Sequence, residues 1–246
     1  MIIFSSQLVV NRTLVIADIH LTDQFDQKLF NYLSKLFANY DQIIINGDLW
    51  EGWLINFDQF INSEWNKLFP LLKEKNTIYL WGNHDPEDLI DERYELFADE
   101  LLESYNLVHP NKEIILTHGH QLIDINKLPR HVKWYYKALE LSENYSPRMI
   151  DRFTRRRILS IEVLLFKYLG IRAITKSSVP PKLNQLIKDD IKQKAVADNT
   201  YYITSHTHLS SMEPHNNFYN TGFINHGYAN YIEILDGAIH ICTGSF

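Results

Sequence analysis

Cysteine is almost absent from this chain, since Cys242 is the only one among its 246 residues. A single thiol excludes an internal disulfide framework and fits a reducing compartment. No apolar run approaches the roughly 20 residues that span a bilayer. The N-terminus also lacks a basic segment followed by an apolar one, so we expect no signal peptide. The sequence therefore predicts a cytoplasmic protein, with peripheral attachment to the inner face of the membrane as the alternative.

Basic residues are scarce outside one segment. The chain has 24 Lys and Arg against 30 Asp and Glu, yet residues 121–197 hold 16 of the basic residues and only 7 of the acidic ones. With 45% hydrophobic and 22% charged residues, the whole chain has the composition of an ordinary globular protein. We therefore expect one domain over residues 1–246, with an acidic core and a basic insertion at 121–197.

Hydrophobic periodicity predicts an α/β fold. Continuous apolar runs at 13–17 and 42–46 flank a helical pattern at 24–39, which is typical of a parallel strand–helix–strand unit. Further predicted elements are a strand at 2–10, a helix at 57–74, an acidic helical stretch at 87–105 and strands at 77–81, 114–117 and 200–204. The C-terminal segments 228–234 and 238–243 predict a β-hairpin across Asp236-Gly237.

The strand pattern stops in the segment 121–197. Helical patterns cover 130–141, 146–170 and 182–195, and prolines such as Pro129 and Pro147 separate them. We interpret this segment as a helical cap inserted into the sheet core.

Five apolar runs each end in side chains that can bind metal ions. These side chains are Asp18 and His20, Asp48 and Glu51, Asn83 to Asp85, His118 and His120, and finally His206 and His208. Ligands bind outside the carboxyl ends of strands in open α/β sheets, so we expect the five clusters to share one rim. Oxygen and nitrogen donors without thiolates suit Mn²⁺, Fe²⁺ or Zn²⁺. The pattern predicts a binuclear centre, in which two cations about 3.5–4 Å apart hold a hydroxide for attack at phosphorus.

This ordered set of motifs resembles the calcineurin-like metallophosphoesterase superfamily over residues 1–120 and 198–246. The resemblance implies a four-layer α/β/β/α sandwich with two mixed sheets. It also implies two divalent cations, for which we expect Mn²⁺ first and Fe²⁺ or Zn²⁺ as alternatives. One metal would take Asp18, His20, Asp48 and His208, and the other would take Asp48, Asn83, His118 and His206, so that Asp48 bridges them.

Two further residues are expected to take part in catalysis. In the family, the histidine at the position of His84 donates to a phosphoryl oxygen or protonates the leaving group. We expect Glu51 to hold this imidazole and favour its charged form. Two interpretations stay open for His120. It either contacts the substrate or a metal ligand, or it packs within its loop.

The motifs around Asp18 and Asp48, together with the basic insertion, are similar to those of UDP-2,3-diacylglucosamine pyrophosphatases. Those enzymes usually carry arginine where this chain has His84. Arg148 and Arg152, together with Arg155 or Arg156, fall on one helical face of the insertion and suit a diphosphate. The alternative is a helical hairpin whose basic face is only solvated. Trp50 and Trp53 are expected either to form one wall of a substrate pocket or to pack within their loop.

The expected activity is hydrolysis of a pyrophosphate or phosphodiester bond in a lipid-linked nucleotide. The first alternative is hydrolysis of a nucleotide or of a nucleic acid end, although nucleic acid is the less favoured partner. The second is a metal-binding scaffold without turnover, which is disfavoured because every ligand position of the motif set is filled.

Overall fold

The structure is a computed structural model that describes residues 12–127, 179–194 and 199–246. The expected strand at 2–10, the expected helices at 130–141 and 146–170, and the four arginines of the insertion lie outside these residues. Among the described residues, no helix has both the length and the apolar character that a membrane span requires.

The first sheet has seven strands in the order β10-β11-β1-β2-β3-β4, and β12 pairs with β11. Its strands are β1 Arg12–Ile16, β2 Gln42–Asn46, β3 Ile78–Leu80, β4 Glu100–Leu102, β10 Ile224–Asn225, β11 Tyr228–Leu235 and β12 Ala238–Ser245. Strands β1 to β4 run parallel, and β11 runs antiparallel to β1. The helix α1 Gln27–Phe37 connects β1 to β2, which confirms the predicted parallel unit.

The second sheet has five strands in the order β5-β6-β7-β9-β8. Its strands are β5 Ser104–His109, β6 Lys112–Thr117, β7 Thr200–Thr204, β8 Ser211–Glu213 and β9 Phe218–Asn220. The three central strands are parallel, while the two edge strands are antiparallel to their neighbours. Both sheets are therefore mixed.

Three apolar clusters show that the layers follow the order α/β/β/α. Val15 and Ile44 from the first sheet pack with Ile114 and Ile203 from the second, and form the core between the sheets. On the outer face of the first sheet, alternate residues such as Leu14 and Ile43 pack against the helices that follow β1 and β2. The outer face of the second sheet is covered by α4 Val179–Gln193, an α-helix within the segment that the sequence predicted as an insertion. The predicted four-layer fold is confirmed.

The single helix predicted at 57–74 is broken into three pieces. They are α2 Phe57–Ile61, a 3₁₀ helix Glu64–Leu68 and α3 Phe69–Glu74. Ser63 accepts a hydrogen bond from the Trp65 amide and so starts a new helical turn, and Pro70 lies in the first turn of α3. Apolar residues at the spacing of one helix can still share one buried face when they belong to three short consecutive helices. The periodicity alone therefore did not reveal the breaks.

The prediction of an acidic helix at 87–105 was wrong. Two short 3₁₀ helices, Glu87–Leu89 and Glu92–Leu96, are followed by β4 and the start of β5. β4 pairs with the edge of β3, and this pairing provides hydrogen-bonding partners for the backbone of β4. Sequence periodicity cannot reveal such a partner. The C-terminal hairpin forms as predicted, because Asp236 and Gly237 both adopt positive φ angles, of 46° and 81°, as a tight turn between twisted strands requires.

Candidate metal centre

The loops that follow the strands adopt an unusual backbone conformation. Five of the predicted ligand residues have left-handed φ angles of 52° to 65°, and they are Asp18, His20, Asp48, His206 and His208. Residues with a Cβ adopt this region at a cost of about 1–3 kcal/mol, and such strain persists only where the surroundings impose it. The loops are therefore shaped by the site rather than by local preference.

Hydrogen bonds join these loops across the rim. The amides of Asp18 and His20 donate to the carbonyls of Gly47 and Asp48 at 3.1 and 3.0 Å. The amide of His206 donates to Asp18 Oδ2 at 3.1 Å, and so links the second sheet to the first. The five clusters that the sequence predicted at strand ends thus lie together at one edge of the sandwich.

Gly47 is required where the loops approach each other. Its φ is +90°, and a Cβ there would lie 2.2 Å from Nδ1 of His118. A side chain at this position would displace His118, so the glycine allows the two sheets to bring their polar residues together.

The first donor group consists of Asp18, His20 and His208, whose ligand atoms lie within 4.8 Å of one another. Nε2 of His208 is 3.2 Å from Asp18 Oδ1 and 3.3 Å from Nε2 of His20. Within the part of the chain that the structure describes, Asp18 Oδ1 is buried and accepts no hydrogen bond despite this proximity. A buried carboxylate oxygen without a donor, beside two imidazole nitrogens, is an arrangement that a bound cation would satisfy.

The second donor group consists of Asp48, His118 and His206, and it also includes Asn83, whose side-chain oxygen lies beside both histidines. Nε2 of His118 lies 3.2 Å from Asp48 Oδ2 and 3.1 Å from Asn83 Oδ1. Nδ1 of His206 lies 2.8 Å from the same Asn83 oxygen. Asp48 Oδ2 also lies 3.8 Å from Nε2 of His20, so this carboxylate stands between the two donor groups.

Hydrogen bonds behind the donor groups orient two of the imidazoles. Nδ1 of His118 donates to the carbonyl of Asn46 at 2.9 Å, and Nδ1 of His20 donates to Glu51 Oε2 at 3.1 Å. Each bond directs the other ring nitrogen, Nε2, towards Asp48. This is the usual arrangement for histidines that bind metals, and the donor set fits two divalent cations.

Charge is concentrated in this buried site. Burial opposes the charged form of His118, but the carboxylates of Asp48 and Asp18 and the hydrogen bond to Asn46 together raise its pKa to about 10. For Asp48 itself, His118 and His84 similarly overcome burial and hold its pKa well below the usual range. Burial and the nearby His118 instead lower the pKa of His206, so that this ring is neutral. A cation would replace the proton of His118, because ligands bind in their deprotonated forms.

His84 lies beside the first donor group and bonds to Glu51. Its Nδ1 is 2.9 Å from Glu51 Oε1, and its amide donates to Asp48 Oδ1 at 2.9 Å. Burial lowers the pKa of His84, but the carboxylates of Asp48 and Glu51 outweigh it and raise the pKa to about 9. Trp53 stacks on the ring of His84, with the two centroids 3.9 Å apart.

Of the two interpretations left open for Trp50, the structure supports packing rather than a pocket wall. Its side chain is fully buried in the outer core of the first sheet, where it packs against Phe57 and Phe60. Trp53 is the tryptophan that reaches the site. Trp50 and Trp53 have similar sequence surroundings. Only the path of the loop after β2 determines which of them reaches the site.

His120 lies next to the second donor group. Its ring centroid is 5.4 Å from that of His118 and 6.2 Å from that of His206. Burial and the nearby His118 lower the pKa of His120 to about 4. The structure thus brings together the seven predicted ligands, His84, Glu51 and His120, whereas Arg148, Arg152, Arg155 and Arg156 lie outside the described residues.

Asp85 supports the site without being among the predicted site residues. Its buried carboxylate accepts hydrogen bonds from the amides of Asp48, Leu49 and Gly82 at 3.0, 2.6 and 2.7 Å. The hydroxyl of Tyr79 donates to it at 2.5 Å. The position of Asp85 directly after Asn83-His84 was a signal, but its role as an acceptor for two loops depends on tertiary contacts.

Comparison with known proteins gives one family match. The model of the family described as calcineurin-like phosphoesterase matches residues 11–210. No curated protein sequence matches the chain.

Several solved structures are similar at low identity. A phosphoesterase from E. coli, Yfce, has 16% identity and a TM-score of 0.46, with 95% of this chain and 98% of that chain covered. A Vps29 single mutant from Entamoeba histolytica has 16% identity and a TM-score of 0.40, with 96% and 99% covered. A Streptococcus pneumoniae protein described as a predicted phosphoesterase has 14% identity and a TM-score of 0.35, with 96% and 99% covered.

Proposed function

Because the chain belongs to the calcineurin-like phosphoesterase family, we propose that this metal-dependent phosphoester hydrolase cleaves a pyrophosphate or phosphodiester bond in a lipid-linked nucleotide. The main observation in support of the proposed bond cleavage is that Glu51 contacts His84 beside the two donor groups. It joins a site for cations to a group that can transfer a proton.

Asp18, His20, Asp48 and His208 would hold one cation, and Asp48, Asn83, His118 and His206 would hold the other. When bound, the pair supplies a hydroxide nucleophile at neutral pH and neutralises the charge that develops on the phosphoryl group. Mn²⁺ is our first choice because this set of carboxylate, amide and imidazole donors accepts it, and Fe²⁺ or Zn²⁺ would also fit.

The chain's own residues then handle the leaving group. Nδ1 of His84 is engaged by Glu51, so Nε2 is the ring nitrogen that remains for a phosphoryl or leaving-group oxygen. The Glu51 carboxylate favours the charged ring, and a charged ring can protonate the departing oxygen. Trp53 restricts the orientation of the imidazole by covering one of its faces.

The choice of a lipid-linked nucleotide is supported by sequence. The motifs around Asp18 and Asp48 resemble those of UDP-2,3-diacylglucosamine pyrophosphatases, and the insertion at 121–197 carries most of the basic residues. Its arginines would bind the diphosphate and its apolar residues would accept acyl chains or contact the inner face of a membrane. We accordingly propose a location in the cytoplasm, at or near that face.

Hydrolysis of two substrates tests this proposal. Metal-depleted protein reloaded with Mn²⁺ would be compared on UDP-2,3-diacylglucosamine and on a plain chromogenic phosphodiester, with Asp48→Asn as the blank. We expect a strong preference for the lipid substrate. Activity on the plain diester alone would reject the lipid and favour a nucleotide or nucleic acid end. Activity on neither substrate, with Mn²⁺ bound, would favour a scaffold.

A leaving-group series tests the role of His84. If His84 protonates the leaving oxygen, His84→Ala should lower kcat strongly for alkyl leaving groups and weakly for p-nitrophenolate, which needs no proton. An equal loss on both classes would show that the residue binds the phosphoryl group instead.

A further inference from the structure

The loop that carries His206 and His208 is held from behind through Thr207. His206 belongs to the second donor group and His208 to the first, so the residue between them influences both. Both histidines have left-handed φ angles, of 65° and 57°. Such a loop keeps its shape only when surrounding contacts impose it. The side chain of Thr207 is buried and forms hydrogen bonds within a polar network.

Asn184 on α4 is the partner of Thr207 in this network. The Thr207 hydroxyl donates to Asn184 Oδ1 at 2.8 Å, and Asn184 Nδ2 donates to the carbonyl of Leu209 at 3.3 Å. One side chain therefore bonds to the loop on both sides of His208. Asn184 is 3% exposed, so these bonds lie in the protein interior.

Asn220 at the end of β9 completes the network. Its Nδ2 lies 3.3 Å from Asn184 Oδ1, 3.2 Å from the Thr207 hydroxyl and 2.8 Å from the carbonyl of Ser205. Oδ1 of Asn220 accepts from the amide of Gly222 at 2.9 Å, which fixes the orientation of its amide group. The buried polar atoms of Asn184 and Thr207 are thereby satisfied, and loss of either side chain would leave unpaired groups.

The helix that carries Asn184 is itself firmly attached. Ile187 and Ile191 are buried against the outer face of the second sheet. Lys188 forms an ion pair with Glu213 at 2.9 Å, on the edge strand β8. A rigid helix can therefore impose a position on the loop.

We propose that Asn184 is a positioning residue through which α4, the described helix of the insertion, sets the geometry of both donor groups by way of Thr207. The inference rests on the proposed role of His206 and His208 as metal ligands. It extends that role to a residue that is not a proposed ligand and lies in the insertion rather than in the motif set. The insertion would then contribute to metal binding as well as to substrate choice.

Titration with Mn²⁺ tests this inference independently of turnover. Binding would be measured by calorimetry on wild type, Asn184→Ala and Thr207→Val, and the paramagnetic resonance spectrum of bound Mn²⁺ would report ligand geometry. Loss of a residue that orients ligands typically weakens metal affinity about 10- to 100-fold, and we expect both variants to show this loss with an altered spectrum. Thr207→Ser keeps the hydroxyl and should retain the wild-type affinity.

Ile191→Ala is the matched control. It lies on the same helix and should lower thermal stability without touching the network. An affinity of Asn184→Ala equal to that of wild type would overturn the inference. An equal loss in Ile191→Ala would also overturn it, since the effect would then be general loosening of α4.

If Asn184→Ala does not fold, the comparison of Thr207→Val with Thr207→Ser decides in the same way. Failure of the wild-type protein to bind any of Mn²⁺, Fe²⁺ and Zn²⁺ would overturn the proposed metal function itself, and the positioning role with it.

Discussion

The carboxylate of Glu51 lies between two histidines, 2.9 Å from Nδ1 of His84 and 3.1 Å from Nδ1 of His20. One acid thus orients both a proposed metal ligand and the proposed proton donor. Burial would raise the pKa of Glu51, but the two histidines outweigh it and lower that pKa to about 2. The acid is consequently charged throughout the neutral range, and its charge is part of the site.

Replacing Glu51 by glutamine should impair turnover more than folding. The amide keeps the size of the side chain but removes the charge that favours protonated His84. General acid catalysis contributes about 10²- to 10⁴-fold, so we expect kcat to fall by roughly 10²-fold on an alkyl phosphodiester. Steady-state kinetics of the Mn²⁺-loaded protein would measure this. The exposed Glu92 provides the control Glu92→Gln, and an active Glu51→Gln enzyme would contradict the role.

Removal of Asp85 as an acceptor should destabilise the protein. Asp85→Asn keeps one acceptor oxygen, which can still serve the amides of Asp48 and Gly82. Its NH₂ group then faces the Leu49 amide, which now donates to a carboxylate oxygen. An unsatisfied buried donor costs about 1–3 kcal/mol, so we expect the free energy of unfolding to fall by that amount. Urea denaturation would measure the loss. Asp236→Asn, in the exposed hairpin turn, should leave stability unchanged, because asparagine suits that turn.

The two neighbouring tryptophans should give opposite phenotypes. Trp50→Ala removes a fully buried ring and should cost about 3–5 kcal/mol of unfolding free energy. Trp53→Leu should leave the free energy of unfolding unchanged but remove the ring that stacks on His84. A stacked cation–π contact is worth about 1–2 kcal/mol, so we expect kcat to fall about fivefold to thirtyfold. Thermal denaturation and kinetics on both variants would separate the two roles. A normal kcat in Trp53→Leu would show that the stack is incidental.

Metal removal should lower the melting temperature. At about 100 times the dissociation constant, a bound ion adds about 2.7 kcal/mol. For a domain of this size, that corresponds to about 5–10 °C. Differential scanning calorimetry in chelator and in Mn²⁺ would measure the shift. Asp48→Asn should lose most of it, whereas Asp236→Asn should keep it in full. The same shift in Asp48→Asn would argue against a bridging role.

The site was predictable to the extent that its residues follow apolar runs. Asp18, Asp48 and His118 come directly after strands whose continuous apolar sequences leave little choice of conformation. Parallel strands then carry these residues to one rim. The segment 87–105 was not predictable in this way, because its conformation depends on β3 offering an open edge to β4.

The sequence by itself determined the parallel unit around α1, the C-terminal hairpin and the residue types of both donor groups, because these depend on local periodicity, turn chemistry and order along the chain. Only the tertiary structure decided that Trp53 rather than Trp50 contacts His84, that Asp85 holds two loops, and that Asn184 supports Thr207. Each of these contacts joins residues from different loops or layers. Their partners are selected by the packing of the two sheets, and no spacing in the sequence records that packing.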